Sequence, residues 1–325
     1  MLITLARPFV QAVRRGRNRL LSTIDTPVIV LLYHRVATLA SDPQLLAVSL
    51  DNFREQMCYL KSRFPLVRFE DDWSKVSNPS IAVTFDDGYA DNALNALPIL
   101  EEIGVPATFF VSTENLNTRQ GFWWDELERI LLEDMPLPKF FTLSDSNYGR
   151  SWQTDTFAAR KKFYLKITPL MKKLTAERRD DWLGQLRLWA GTNETGRSAY
   201  RAMTHEELLH LAGSKWVTIG AHTVTHSCLS ALSEKQQHHE IVSSKYQLEA
   251  LLGKAVTTFA YPYGKKNDYN RTSIRLCREA GFCKVASNFS GMAYRWTDPL
   301  QIPRYLVRDW DHDTFVSKMR DFGVL

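Results

Sequence analysis

The 325-residue chain lacks the usual marks of a disulfide-stapled, membrane-spanning or nucleic-acid-binding protein. Its four cysteines, Cys58, Cys228, Cys277 and Cys283, fall at no C-x-x-C spacing. Reduced, mostly buried thiols in a cytoplasmic protein are expected from that pattern. No apolar run approaches the roughly 20 residues that a transmembrane helix needs. The short apolar stretch Val28–Tyr33 follows five arginines, lacks a small-residue cleavage site and runs into His34. No secretory signal is read there. A large charge excess is also missing. The formal net charge is +5, and Arg7, Arg14, Arg15, Arg17 and Arg19 against Asp25 alone place +4 of it in residues 1–25. The remainder is almost neutral, which argues against a broad nucleic-acid footprint. Internal repeats and low-complexity tracts are absent too.

What is present is a core-forming composition, 44% hydrophobic and 12% aromatic, enough for one large α/β domain or two smaller ones. Leu2, Leu5, Phe9, Val13 and Leu20 fall on one helical face, with Arg7 and Arg14 opposite. Residues 1–25 therefore read either as a basic amphipathic helix on an anionic membrane surface or as a plain N-terminal helix. Pro8 and Gly16 weaken either helix.

Beyond them, short apolar runs alternate with helical patterns, the signature of βα units and a parallel sheet. Strands are expected at Val28–Tyr33, Ser80–Phe85, Pro106–Ser112, Val217–Ala221, Thr257–Tyr261, Cys283–Ser287 and Ile302–Val307. Helices fit at 91–103, 204–212, 233–252 and 269–280, with a last one opening near Asp311. Residues 121–200, rich in Arg, Lys and Trp, break the strand rhythm and read as a helical insertion in a single domain spanning 26–325.

In parallel α/β folds the site lies at the carboxyl ends of the strands. The polar motifs sit there: His34 after VIVLLY, Asp86 and Asp87 after IAVTF, His222 after VTIGA, and Tyr263 after TTFAY. Two adjacent carboxylates repel unless a cation or proton is shared, and Gly88 permits a turn by which both could reach one pocket; taken alone, the triplet reads equally as a solvated Asp-Asp-Gly turn. His222 and His226, four apart, can meet one metal ion from a single turn. A carboxylate with two histidines is a catalytic zinc set that leaves positions open for water and substrate. A second carboxylate beside it can take a proton from water activated by the metal. Cys228, close to His226, would be superfluous as a ligand.

TFDDGYADN, HTVTHS and FAYPYG, in this order, resemble the NodB-type polysaccharide deacetylases, carbohydrate esterase family four. The resemblance covers roughly Ile29 to Leu306 outside the insertion, with the core motifs starting near residue 80. It implies an α/β fold, a distorted, incomplete (β/α) barrel. It also implies a hydrolase that removes acetyl groups from N-acetylated sugars with a divalent metal, Zn2+ first and Co2+ or Ni2+ as alternatives. Asp86 becomes the catalytic base, Asp87, His222 and His226 the metal ligands, and the Tyr263 backbone N–H an oxyanion donor.

Two positions depart from the family pattern. Many members carry an arginine before the Pro-Tyr pair, where this chain has Ala260; Arg304 is the candidate to orient the base from another strand. The late Leu-x-x-His motif that supplies a general acid is not matched cleanly around His312. The early Tyr-His-Arg-Val instead resembles the biofilm poly-N-acetylglucosamine deacetylases, which makes His34 the favoured acid over His312. Trp123 and Trp124 read as anchors of the insertion rather than sugar platforms. The expected partner is an N-acetylated glycan or a lipid-linked sugar at the inner membrane surface, and no nucleic acid. Another amide or O-acetyl ester hydrolase, or a non-catalytic glycan-binding homologue, are the alternatives. Asp86 and Asp87 make a poor glycosidase pair, since such carboxylates face each other about 5–9.5 Å apart across the bond they cut.

Overall fold

The computed structural model describes residues 24–145, 148–193 and 196–323, and positions 16 and 21 ahead of them. The amphipathic reading of the N-terminal segment otherwise lies outside the described residues. The strands are β1 (Val28–Tyr33), β2 (Arg35–Val36), β3 (Ala47–Val48), β4 (Ser80–Phe85), β5 (Ala107–Val111), β6 (Phe140–Asp145), β7 (Tyr148–Gln153), β8 (Val217–Ala221), β9 (Thr258–Ala260), β10 (Lys284–Ala286) and β11 (Tyr305–Leu306). Seven of them form one parallel sheet in the order β10-β9-β8-β5-β4-β1-β11. Every residue of β1 and β4 is buried, as a parallel sheet covered on both faces requires.

The sheet curls into an incomplete barrel, and most of its inward positions are small. Val28, Val30, Ala82, Ala260 and Ala286 pack inside around Phe110 and Phe69. Gly220 belongs to the same layer: a Cβ there would lie 2.5 Å from the Phe110 ring. The outward positions Ile29, Leu31, Ile81, Val83, Phe85 and Phe109 join the main core under the helices. One segment links the two ends of the sheet. Ile302 bridges Ala286 of β10, and Tyr305 and Leu306 then pair with Leu31 and Leu32 of β1. The expected α/β architecture, a distorted and incomplete (β/α) barrel, is the one observed.

The helix expected at 91–103 opens with a π-turn, Asn92–Ala96, and stops at Gly104, whose φ of 74° suits glycine. The one expected at 233–252 runs Glu234–Leu252 with a π-bulge at His239–Ser243. The helix Leu50–Arg63 was not anticipated, although Phe53, Met57 and Leu60 bury one face at helical spacing. Between 121 and 200 lie the helices Trp123–Leu132, Phe157–Met171 and Ala176–Ala190, built around a separate apolar cluster that includes Leu131, Phe163, Ile167 and Trp182. They share it with the antiparallel hairpin β6–β7, which the helical patterning did not indicate. Cys228 and Cys277 are buried, but Cys58 and Cys283 are exposed, which corrects the expectation of mostly buried thiols. Both sit on peripheral positions, Cys58 on the outer face of its helix and Cys283 at the start of β10. No described helix is long and apolar enough to cross a membrane.

Candidate active site

Three loops at the carboxyl ends of β4, β8 and β9 carry the candidate site residues, and their backbones are held in unusual conformations. Among the described residues, seven non-glycine residues have positive φ, and Asp87 (78°), Thr223 (69°), His226 (52°) and Tyr263 (61°) are four of them. Such conformations persist only where the surroundings over-determine them. Here the Ser112 N–H donates to Asp87 O, and the Ser112 hydroxyl donates to His222 O. The Glu240 carboxylate accepts from the Val224 and Thr225 N–H groups, each at 2.9 Å, and from the Thr225 hydroxyl. Gly88 (φ 95°) has no room for a side chain, since a Cβ would lie 2.9 Å from Val111 Cγ1.

These loops bring Asp87, His222 and His226 together, with one ligand atom from each lying within 4.8 Å of the others. Asp87 Oδ1 is 3.5 Å from His222 Nε2 and 3.2 Å from His226 Nε2. His222 Nδ1 lies 2.7 Å from the Ala260 carbonyl; donation there fixes the tautomer and leaves the Nε2 lone pair facing the cluster. The buried Asp87 carboxylate has no lysine or arginine partner among the described residues. A buried acid facing two imidazole lone pairs fits a divalent cation. His226 is gripped edge-on by Trp124 and Tyr263, with ring centroids 4.8 and 4.7 Å away, and its Nδ1 has no hydrogen-bond partner among the described residues.

Asp86 is held differently. Arg304, fully buried, donates to both of its oxygens at 2.7 Å. The same guanidinium reaches Thr84 Oγ1 at 3.2 Å and Ser287 O at 2.8 Å, so its plane is fixed from three sides. Asp86 Oδ2 lies 3.9 Å from His222 Nε2, which sets it beside the triad rather than in it. Burial pushes the Asp86 carboxyl up, but Arg304 and then His222 more than offset it, so it stays below the usual carboxylate range. Asp87 is also pushed up by burial, and the two imidazoles facing it bring it far below that range. Burial brings His226 down to about 4 against the pull of Asp87.

His34 joins the same cleft from the end of β1. Its Nδ1 is buried with no partner among the described residues, and burial holds its pKa below the ordinary histidine value despite Asp87 and Asp86. The end of the TFDDGYADN motif clamps this segment. Asn92 Nδ2 donates to His34 O, Asp91 accepts from the Val36 N–H, and Arg35 pairs with Asp91 at 2.9 Å. His312 instead stands exposed at the start of the last helix, edge-on to Tyr59, and does not line the cleft. The Tyr263 N–H donates to no protein acceptor among the described residues, while its hydroxyl accepts from Trp123 Nε1 at 3.2 Å. Trp124 is buried and donates to Tyr89 Oη, which donates on to Asp125. Burial raises that Asp125 carboxyl to about 7. His205, His210, His238 and His239 are exposed.

The cleft above these groups has a volume of about 470 Å³. The barrel forms its floor, and Trp123, Tyr164, Leu165 and Lys172 of the 121–200 region form one wall. Lys172, Lys265, Asn288 and Arg308 also line it and were not singled out from the sequence. Each lies outside the three motifs, and only the topology gathers them.

The polysaccharide deacetylase family model matches residues 74–137 and 189–285. YxkH of Bacillus subtilis (strain 168) is 19% identical over 221 residues, which cover 68% of this chain and 49% of the relative. The chain thus spans about half the length of the curated relative it matches. Among solved structures, IcaB from Ammonifex degensii superposes with a TM-score of 0.58 at 18% identity, covering 92% of this chain and 97% of its own. The Streptococcus pyogenes deacetylase PplD, solved in complex with acetate, gives 0.57 at 16% identity, covering 91% and 99%. At these identities the likeness is one of fold.

Proposed function

From the premise that this chain has a NodB-type polysaccharide deacetylase fold with an Asp-His-His metal triad, we propose that it is a metal-dependent hydrolase removing acetyl groups from N-acetylated sugars. The observation that carries this reading is the pairing of two differently held carboxylates. Asp87 faces His222 and His226, and its neighbour Asp86 is held ionised by Arg304.

Asp87, His222 and His226 would hold the cation, Zn2+ being the first choice for a two-histidine, one-carboxylate set. A divalent cation there supplies Lewis acidity, which lets water ionise near neutral pH and polarises a carbonyl. The protein's own groups do the rest. Asp86, kept as a carboxylate, accepts the proton of the attacking water, and Arg304 keeps its lone pairs aimed at the cleft. The unpaired Tyr263 N–H donates to the oxygen that becomes negative at the acetyl carbon. His34, on the first strand, donates a proton to the departing amine. Acetate and a free amino sugar result.

Within this reading residues 26–325 act as one catalytic domain, and the 121–200 insertion closes one side of its cleft. The substrate is an N-acetylated glycan or a lipid-linked precursor. The basic pattern of the N-terminal segment supports contact with an anionic membrane surface, and four free cysteines support a cytoplasmic setting. Acetate release from chitooligosaccharides, poly-N-acetylglucosamine, lipid-linked sugars and O-acetylated controls, before and after chelation, tests the proposal. Metal-dependent release from the N-acetylated members is expected. Release only from O-acetyl esters, or release indifferent to chelation, would overturn it.

A further inference from the structure

The charges lining the cleft are unequal in an informative way. Its two acids are both engaged, Asp86 by Arg304 and Asp87 by the histidines. Three cations share the lining: Lys172, Lys265 and Arg308. Lys172 is neutralised by Asp268 at 2.6 Å and lies over the Tyr263 ring. The other two have no carboxylate partner among the described residues.

Arg308 is half-buried, and its Nη1 donates to the carbonyls of Gln44 (3.0 Å) and Leu45. Those contacts orient the guanidinium without cancelling its charge. The Asp42 carboxylate is close enough to act on Arg308 through space but spends its hydrogen bonds on the Leu46 and Ala47 N–H groups at 3.0 and 2.8 Å, leaving the guanidinium without a bonded anion among the described residues. Lys265 is exposed, and its ammonium finds no protein acceptor among the described residues. A partly buried cation without a counter-ion is a cost that a ligand's anion would offset. The guanidinium fork, with Nε and Nη2 left over among the described residues, matches the oxygens of a phosphate or carboxylate.

Topology adds which part of the substrate is met. Leu306 pairs with Leu32, and the Val307 N–H donates to Leu32 O, so β1 and β11 lie side by side. Arg308 and His34 each lie two residues beyond this pairing, at the same end of adjacent strands. His34 is the proposed donor to the sugar nitrogen, so Arg308 stands on the sugar side rather than the acetyl side.

We propose that the cleft selects an acetylated sugar bearing an anionic group, a phosphate or a carboxylate, bound by Arg308 and Lys265. The proposal rests on the deacetylase reading and names its substrate class. The full metal-loaded chain is assayed for acetate release from N-acetylglucosamine 1-phosphate, from an N-acetylglucosamine–glucuronic acid disaccharide and from neutral diacetylchitobiose. At least one anionic probe should exceed the neutral one in kcat/KM by about tenfold or more, the worth of a charge-assisted contact. Which anionic probe leads separates phosphate from carboxylate. Arg308→Gln should cut the anionic-to-neutral ratio by about tenfold to a hundredfold, and Arg308→Lys should restore part of it. The exposed Lys265→Gln carries no folding risk and should lower the same ratio several-fold, as should added salt. Equal turnover of neutral and anionic probes, or ratios unchanged in both Gln variants, would overturn the inference and leave the hydrolase reading standing. No acetate from any probe would overturn both.

Discussion

Arg304→Met would leave the Asp86 carboxylate buried without its cation. In the native chain both oxygens are bound at 2.7 Å, and the two side chains are 0% and 6% exposed. Removing one partner of such a pair costs about 3–5 kcal/mol, because the survivor cannot regain water. For a chain of this size that lowers the melting temperature by on the order of 4–7 °C at pH 7. The sign with pH follows from the two carboxyl states. Native Asp86 sits below its ordinary value, since burial is outweighed by Arg304 and His222. It therefore contributes stability that is present above the unfolded carboxyl pKa of about 3.9 and lost as pH falls through the folded value. In the variant the largest influence opposing burial is gone and the carboxyl rises. Its penalty is complete at neutral pH and fades as pH falls toward about 3.9. The assay is a pair of measurements on native and variant protein from pH 4.5 to 8: calorimetric melting, and kcat/KM for acetate release. Expected are a stability gap that narrows on acidification, a loss of about 10²–10⁴ in kcat/KM at pH 7, and an acid limb displaced upward. Unchanged melting at pH 7 together with an unmoved acid limb would refute the reasoning.

Three other outcomes are expected. His34→Gln should lower kcat/KM by about 10²–10⁴ and abolish a basic limb lying below the ordinary histidine value, since an acid works only below its pKa, whereas His312→Gln should alter neither. Glu240→Ala frees the loop that carries His226 and should weaken metal affinity about 10–100-fold, measured by competition with a chromophoric chelator. Gly220→Ala puts a Cβ 2.5 Å from Phe110 and 2.7 Å from Thr258 Oγ1, so it should cost about 1–3 kcal/mol in denaturant melts.

The site was legible in the sequence where residue type, strand end and motif coincided. Asp86, Asp87 and His222 follow the ends of β4 and β8, His226 lies four residues after His222, and the fold brings the four together. Arg304 was nameable only as a substitute for an absent arginine. Its anchoring by Thr84 and Ser287 depends on the closing segment crossing from β10 to β1, which no local pattern encodes. The same holds for Arg308 and Lys265, which reach the cleft from opposite ends of the curled sheet. Other misses were local. The β6 strand alternates exposed and buried residues through FFTLS, a period-two signal too short to stand out from the helical patterning of the region. The role of Asp91 and Asn92 in clamping the His34 segment spans more than fifty residues and is visible only in three dimensions.

The central claim is that Asp87, His222 and His226 hold a cation on which acetate release depends. Metal content and acetate release, measured together on native chain and Asp87→Ala after chelation and stepwise addition of Zn2+, test it most directly. The native chain should bind about one equivalent with activity rising in proportion, and the variant should bind weakly and stay inactive. Full activity in metal-stripped Asp87→Ala would contradict the account.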